Sequence, residues 1–329
     1  MEKGISHRVL FIRPQFFYFG QSIEEELSRK GHKVFAYSDR PSDSNIAKAL
    51  IRLNRGLVKG KTTRYIKSII DTHKADNIDK IIIILGQSFF PKHIKLLKAG
   101  FPKAEIVYYL WDALANAKYA PTLALECDRS YYFESDNHDG FTRLNNFFDP
   151  DFAGIKLTKP EYDYCYIGTA YPNKLKEAER LVDALAPIKP SIYFYFYIPS
   201  KLMKLFFSFT HPGYGKLAKR FGLKERKITK QEVLALYAKS KGLLDFPRAN
   251  QTGLTMRTLE ALAGGKKLIT TNLSVGGYDF YNPQNIYLFN GEKPDFSSSF
   301  FAKPDYLKQK AEIVEKYSLA HFVSTLLGD

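Results

Sequence analysis

A chain of 329 residues is long for one hydrophobic core, and a composition of 45% hydrophobic and 25% charged residues excludes an intrinsically disordered protein. No run approaches the roughly 20 apolar residues that cross a bilayer. A formal net charge of +15 calls for an anionic partner, whether nucleic acid, anionic lipid or a phosphorylated substrate.

The first half alternates strand and helix patterns. Residues 8–13 form an apolar strand, 21–30 a helix closed by Gly31, and 33–37 a second strand. One or two helices, broken near Gly56 and Gly60, are predicted over 45–73. Four consecutive isoleucines within 80–85 mark a strand buried on both faces, as in a parallel sheet. Residues 91–99 are helical, and 105–111 and 127–133 are strands. The polar, aperiodic stretch 149–161 reads as a linker.

The pattern then restarts. A strand over 162–167 ends in Gly168, followed by a helix over 174–185, an aromatic strand over 191–198 and a helix over 231–240. Residues 242–246 form a buried strand and 249–253 a loop. Thr252 is the predicted N-cap of a helix reaching about Ala263, which Gly264 and Gly265 end. Strands at 267–271 and 285–289 follow, then helices at 306–317 and 319–327. Strands alternating with helices imply right-handed crossovers and an α/β architecture of two tandem Rossmann-like, doubly wound domains facing a cleft. The divisions expected are residues 1–155, 156–304 and 305–329, the last crossing back to the first domain. The 22 tyrosines and 26 phenylalanines exceed what two cores need and hint at stacking or interfacial surfaces.

Cys127 and Cys165 sit in apolar runs and read as buried, reduced thiols. The first eight residues hold no signal-peptide core, so a cytoplasmic location is expected, with any membrane contact peripheral.

Ligands of doubly wound sheets bind beyond the carboxyl ends of the strands. In the first domain this selects residues 14–20, Gly86-Gln87-Ser88, Trp111-Asp112 and Glu134-Ser135-Asp136. In the second it selects Gly168-Thr169-Ala170, residues 197–200 and 245–252. No G-x-G-x-x-G follows the first strand, which argues against a dinucleotide-dependent dehydrogenase, and no P-loop is present, so no cofactor is expected.

The helix after Thr252 carries Met256, Leu259, Leu262 and Ala263 on an apolar stripe and Gly253, Arg257, Glu260 and Gly264 on another. A helix N-terminus with Arg257 one turn in suits a diphosphate, and Glu260 suits the vicinal hydroxyls of a ribose. An ordinary amphipathic helix with an Arg257–Glu260 pair gives the same pattern. Asp112, beside the only tryptophan, Trp111, suits acceptor binding or general-base work; a helix-capping Asp beside a core Trp is the alternative. Residues 135–139 hold two carboxylates and a His in no specific metal-ligand spacing, and read as a turn. Asp149-Pro150-Asp151 reads as a turn too. Lys48, Arg52, Arg55, Lys59, Lys61, Arg64 and Lys67, with apolar residues between them and no acid, suit an anionic bilayer. Residues 201–230 mix apolar side chains with lysines and arginines, as either a second such surface or a solvated helix face over a core.

The motifs Asn250-Gln-Thr-Gly-Leu-Thr-Met-Arg-Thr-Leu-Glu, Lys266-Lys-Leu-Ile-Thr-Thr-Asn, Tyr278-Asp-Phe-Tyr-Asn-Pro, Tyr109-Leu-Trp-Asp and Tyr166-Ile-Gly resemble those of GT-B fold glycosyltransferases, in particular bacterial capsular and lipopolysaccharide biosynthesis transferases. The resemblance spans most of the chain. It implies a second domain that holds a nucleotide-diphosphate sugar through Gly168, Gln251, Thr252, Gly253, Thr255, Arg257 and Glu260. Arg257 and the helix N-terminus would offset the charge of the departing diphosphate, with no metal required. The first domain would bind a saccharide or lipid-linked acceptor through Gln87, Trp111 and Asp112, near the inner face of the membrane. The broad retaining group places a glutamate eight residues before the ribose-binding one; here that position is Thr252. Arg257→Ala is expected to lower turnover with little loss of fold. A nucleotide-sugar epimerase of the same architecture and a non-enzymatic polyanion-binding protein are the alternatives, although the cleft motifs weigh against nucleic acid.

Overall fold

A computed structural model describes residues 6–15, 18–136, 138–156, 158–248 and 251–329. Several residues quoted above, among them Phe16, Phe17, Asn137, Ala249 and Asn250, lie outside the described set. The chain forms two compact units, Met1–Asn146 with Leu319–Asp329, and Phe147–Ser318.

The first unit is built on a parallel sheet of β1 (Arg8–Arg13), β2 (Lys33–Ser38), β3 (Lys80–Ile84), β4 (Glu105–Leu110), β5 (Arg129–Tyr132) and β6 (Thr142–Arg143), ordered β2-β1-β3-β4-β5-β6. The isoleucine run occupies the centre: Ile81, Ile82, Ile83 and Ile84 are fully buried, in register with β1 on one side and β4 on the other. Helices on both faces leave that strand no wet side, which is why it carries no alternation. The strand order reverses between β1 and β3, and sheets of this kind take ligands at the carboxyl ends beside such a reversal.

The terminal helix Leu319–Leu327 belongs to this unit. Phe322 meets Tyr109 edge-on at 4.9 Å between ring centroids. The carbonyls left unpaired at its C-terminal end are taken by cations: Arg129 donates to Thr325 O at 3.0 Å and Leu326 O at 2.9 Å, and Lys80 donates to Leu327 O at 2.8 Å.

The second unit carries β7 (Tyr162–Thr169), β8 (Ile192–Tyr197), β9 (Ser240–Asp245), β10 (Lys267–Thr270) and β11 (Ile286–Leu288) in the parallel order β11-β10-β9-β7-β8. Its reversal falls between β7 and β9. Part of the aromatic excess goes into this core. Tyr166 packs at 4.8 Å from both Phe196 and Phe246, and Phe221 lies 4.9 Å from Phe194.

Three local expectations change. Within the stretch read as a linker, Pro150–Phe152 is a 3-10 turn whose Phe152 is fully buried 5.7 Å from Tyr237, because an aromatic that size finds a core. The Asp149-Pro-Asp turn is pinned by Lys230, at 2.7 Å from Asp149 and 2.6 Å from Asp151. The helix predicted over 306–317 shortens to Ala311–Glu315. Asn285 takes both backbone groups of Leu307, at 2.7 and 2.8 Å, and holds that segment extended. Cys127 lies before β5 rather than in it. Both cysteines are free, and burial pushes each thiol up to about 12.

Candidate functional site

The loop between β9 and the helix Met256–Ala263 returns the chain to the carboxyl end of the second sheet. Thr255, not Thr252, caps the helix, its hydroxyl accepting from Thr258 N at 3.1 Å. Leu254 is fully buried, which draws the loop in and delays the helix by one turn relative to expectation. Thr252 and Gly253 offer their carbonyls to the buried Asn272 amide, at 3.3 and 3.1 Å. Gln251 closes its own turn, with its amide nitrogen donating to Gly253 O at 3.3 Å and its amide oxygen accepting from Arg248 N at 3.4 Å.

Arg257 bridges the two strands at the reversal. One guanidinium nitrogen stands 3.1 Å from Asp245 at the end of β9, another donates to Ile167 O on β7, and the plane lies 4.9 Å from the Tyr166 ring centroid. Asp245 is fully buried; its second oxygen accepts from the Thr258 and Thr270 hydroxyls, each at 3.1 Å. Burial opposes the Arg257 charge, but Tyr237, Tyr166, Asp245 and Glu260 around it outweigh that and hold its pKa above the ordinary arginine value. The expectation that Arg257→Ala spares the fold is therefore corrected: the side chain is half of a buried ion pair.

Glu260 is buried and accepts the Tyr237 hydroxyl at 2.8 Å. Thr258, Leu259, Ala261 and Leu262 are buried as well, so the helix is enclosed nearly all round and has no second, open stripe. Gly168 is required by Tyr166: a Cβ there would run into the Tyr166 hydroxyl, which is buried without a hydrogen-bond partner among the described residues.

Two features escaped the sequence reading. The helix Pro172–Leu185 begins just beyond β7 with no side-chain cap, and Pro at its first position presets the turn. Its N-terminus, rather than the Thr255-capped one, presents first-turn N–H groups without a side-chain acceptor, next to the reversal. Lys174 lies in that first turn. Burial first, then the like charges of Arg257 and Arg248, push its pKa down to about 7, with Asp245 pulling the other way. Arg248 itself lies 5.9 Å from the Tyr171 ring centroid. Arg257 is thus bonded to Asp245 at the carboxyl ends of β7 and β9, and Lys174 feels the charges of both and of Arg248. The available signal was Lys174 six residues after Gly168, in the first turn of a Pro-started helix.

In the first unit, Gln87 N donates to the buried Asp39 carboxylate at 3.1 Å, and Ser88 donates to Asp39 O at 2.8 Å. Burial, only partly offset by Arg40 and the Gln87 N–H, raises the Asp39 pKa. The bend before Gln87 needs positive φ at two successive residues, Leu85 at 64° and Gly86 at 62°. Trp111 packs 5.7 Å from Phe19 and 6.1 Å from Tyr109. Asp112 accepts from Ala113 N and the Asn116 amide, both at 2.9 Å, in the manner of a turn cap. Arg55, read as part of a basic face, is half-buried between Phe90 and Tyr119, 4.2 Å from each ring centroid. Arg52, Lys59, Lys61, Arg64 and Lys67 are exposed, with Ile46, Leu53 and Leu57 exposed among them. Among the described residues no three His, Cys, Asp or Glu side chains converge, and no helix is long and apolar enough to cross a membrane.

No family model and no curated protein matches the sequence. Solved structures do match over nearly the whole length. HepE from Anabaena, in complex with UDP and glucose, is similar at a TM-score of 0.62 and 12% identity, covering 98% of each chain. The lipopolysaccharide outer core galactosyltransferase WaaB is similar at 0.53 and 14%, covering 98% of this chain and 99% of that one. Sucrose-phosphate synthase from Thermosynechococcus elongatus is similar at 0.61 and 10%, covering 98% of each. The chain has the two-domain GT-B α/β fold.

Proposed function

We propose that the protein is a glycosyltransferase that moves a sugar from a nucleotide-diphosphate sugar to a saccharide or lipid-linked acceptor in bacterial surface polysaccharide biosynthesis. The observation that carries this reading is Arg257 held between Asp245 and Ile167 O at the strand reversal of the second unit, with the uncapped N-terminus of the helix Pro172–Leu185 following β7 and Lys174 in its first turn. A diphosphate there would meet fixed cations and N–H dipoles, which stabilise the leaving group as the glycosidic bond to it breaks. Gly168, Gln251, Thr252, Gly253 and Thr255 line the approach as backbone and loop, and Glu260 is assigned to the ribose. Gln87, Trp111 and Asp112 are assigned to the acceptor, with Asp112 taking the proton from the attacking hydroxyl. This mechanism asks for no metal and no cofactor. The UDP and glucose of the HepE complex support a nucleotide-sugar donor, and WaaB supports a surface-saccharide setting. The exposed cations within residues 48–67 support a lipid-linked acceptor taken at the cytoplasmic face of an anionic membrane.

The test is a thermal-shift screen against nucleoside diphosphates and nucleotide sugars, followed by a transfer assay with lipid-linked acceptors. One nucleotide series should raise the melting temperature by several degrees. A flat profile across all bases would overturn the reading, and epimerised nucleotide sugar formed without acceptor would replace transfer with epimerisation.

A further inference from the structure

The helix Lys201–Thr210 in the second unit has two apolar faces where a surface helix normally has one. Met203 and Phe207 pack against the core, and Phe207 lies 5.4 Å from Tyr214 and 6.2 Å from Tyr171. The other face carries Leu202, Leu205, Phe206 and Phe209, at i, i+3, i+4 and i+7, in a stripe about 100° wide. These four are 78%, 54%, 60% and 81% exposed. The helix needs no outward stripe for folding, since its inner face is already seated and Ser200 caps it, accepting from Met203 N at 3.1 Å.

The stretch of chain that carries that ridge has charge of one sign. No Asp or Glu occurs from Ile198 to Lys224. Lys201 and Lys204 stand on the same helix, and Lys216 and Lys219 on the next, Tyr214–Phe221; all four are exposed and none has an ion-pair partner among the described residues. Arg220 on that helix does have partners, Glu179 and Asp183, each at 3.0 Å, so the neighbouring lysines are not left over from a disordered surface.

We infer that the helix Lys201–Thr210 is a membrane-docking element that inserts Leu202, Leu205, Phe206 and Phe209 into the acyl boundary of an anionic bilayer. A convex apolar ridge beside unpaired lysines matches an interfacial helix, in which apolar burial and attraction to anionic headgroups act together. Neither the helix nor the next one, Tyr214–Phe221, carries an acid for a basic partner. The inference stands apart from the transferase reading, because docking requires neither donor nor acceptor.

The experiment is flotation of the full chain with vesicles of phosphatidylglycerol and phosphatidylethanolamine, and with vesicles of phosphatidylcholine alone. The wild type should float with the anionic vesicles and stay behind with the neutral ones. The double variant Phe206→Glu and Phe209→Glu, which keeps residues 48–67 intact, should lose binding by at least about tenfold while its thermal melt stays unchanged. Phe206→Trp should be quenched by brominated acyl chains more strongly than the wild type, whose sole tryptophan is Trp111. Equal flotation of the double variant and the wild type would overturn the assignment. So would a wild-type dimer in sedimentation that the double variant converts to monomer with vesicle binding unaltered, since a second copy would then be the occupant.

Discussion

Arg257 and Asp245 form a buried ion pair, 3.1 Å between Nη1 and Oδ1, at the point where the second sheet reverses. The same guanidinium reaches Ile167 O on β7, so one side chain ties the strands flanking the crevice. Arg257→Ala leaves the fully buried Asp245 charge with only two hydroxyl partners. Loss of one member of such a pair costs about 3–5 kcal/mol. Urea unfolding should show a loss of that size. A change below about 0.5 kcal/mol, the range of an ordinary surface substitution, would mean that the pair does not hold the strands together.

The Glu260–Tyr237 hydrogen bond separates stability from donor binding. Tyr237→Phe removes a donor to a buried carboxylate and should cost about 1.5–3 kcal/mol. It should leave the nucleotide Kd within about twofold, because Tyr237 lies on the helix preceding β9. Glu260→Gln keeps the side-chain shape and should weaken nucleotide binding about tenfold, the worth of one charge-assisted hydrogen bond to a ribose. Calorimetric titration of both variants decides the role: equal Kd values for Glu260→Gln and wild type would leave Glu260 a packing residue.

The strands of both units were legible from pattern, though not their order, because parallel strands write their burial into the sequence. Ile81–Ile84 has no polar residue to place on a wet face, and β7, expected to end in Gly168, runs one residue further to Thr169. What was hidden depends on neighbours remote in sequence. Thr252 and Thr255 are equal capping residues on local grounds, and the choice between them rests on the burial of Leu254 and on the Asn272 amide holding the loop from 20 residues away. Arg257 and Glu260 look like an exposed i, i+3 pair until Asp245 and Tyr237 arrive from two other elements. Lys174 carries only a weak local mark, its place in the first turn of a Pro-started helix after β7, and the charges of Asp245, Arg248 and Arg257 that act on it come from 71 or more residues away.

Gly168 and Tyr166 test the packing at the end of β7. A methyl group at position 168 has to displace the fully buried Tyr166 ring from its contacts with Phe196 and Phe246. Gly168→Ala should destabilise the protein by about 1–3 kcal/mol, as overpacking does. Tyr166→Phe removes the atom nearest the clash, so the double variant should recover part of that loss. Strict additivity in a double-mutant cycle would show that the two positions do not meet.

Lys174 predicts a pH dependence whose sign is fixed. Folding lowers its pKa from the ordinary 10.5 to about 7, so between those values the native state holds less of this proton than the unfolded chain does. Its contribution to stability therefore rises with pH across that window. Donor binding runs the opposite way: a diphosphate favours the charged amine and raises its pKa in the complex. Affinity for a nucleotide sugar, whose diphosphate diester does not titrate here, should be greatest below about pH 7 and fall between pH 7 and 9. Lys174→Arg stays charged and should flatten the profile, while Lys174→Met should bind weakly throughout. A wild-type Kd independent of pH from 6 to 9 would place Lys174 outside the donor site.

Asp39 offers a separate handle on the acceptor side. Its carboxylate accepts Gln87 N at 3.1 Å just after two residues of positive φ, and a left-handed leucine costs about 1–2 kcal/mol unless its surroundings hold it. Leu85 is held by its own N–H on Tyr109 O at 3.0 Å and by the Tyr108 hydroxyl on its carbonyl at 2.9 Å. Gln87 depends on Asp39. Asp39→Asn keeps one acceptor oxygen and the side-chain volume but weakens the grip on Gln87 and on Arg40, 3.1 Å away. The expected outcome is an acceptor KM raised about tenfold, with the Kd for nucleotide unchanged because the proposed donor site lies in the other unit. On the proposed acceptor site Asp39 would act through Gln87 as a positioning residue, so Gln87→Ala should raise the acceptor KM similarly and the double variant should add little. An acceptor KM that responds to neither change would take Gln87 out of acceptor binding.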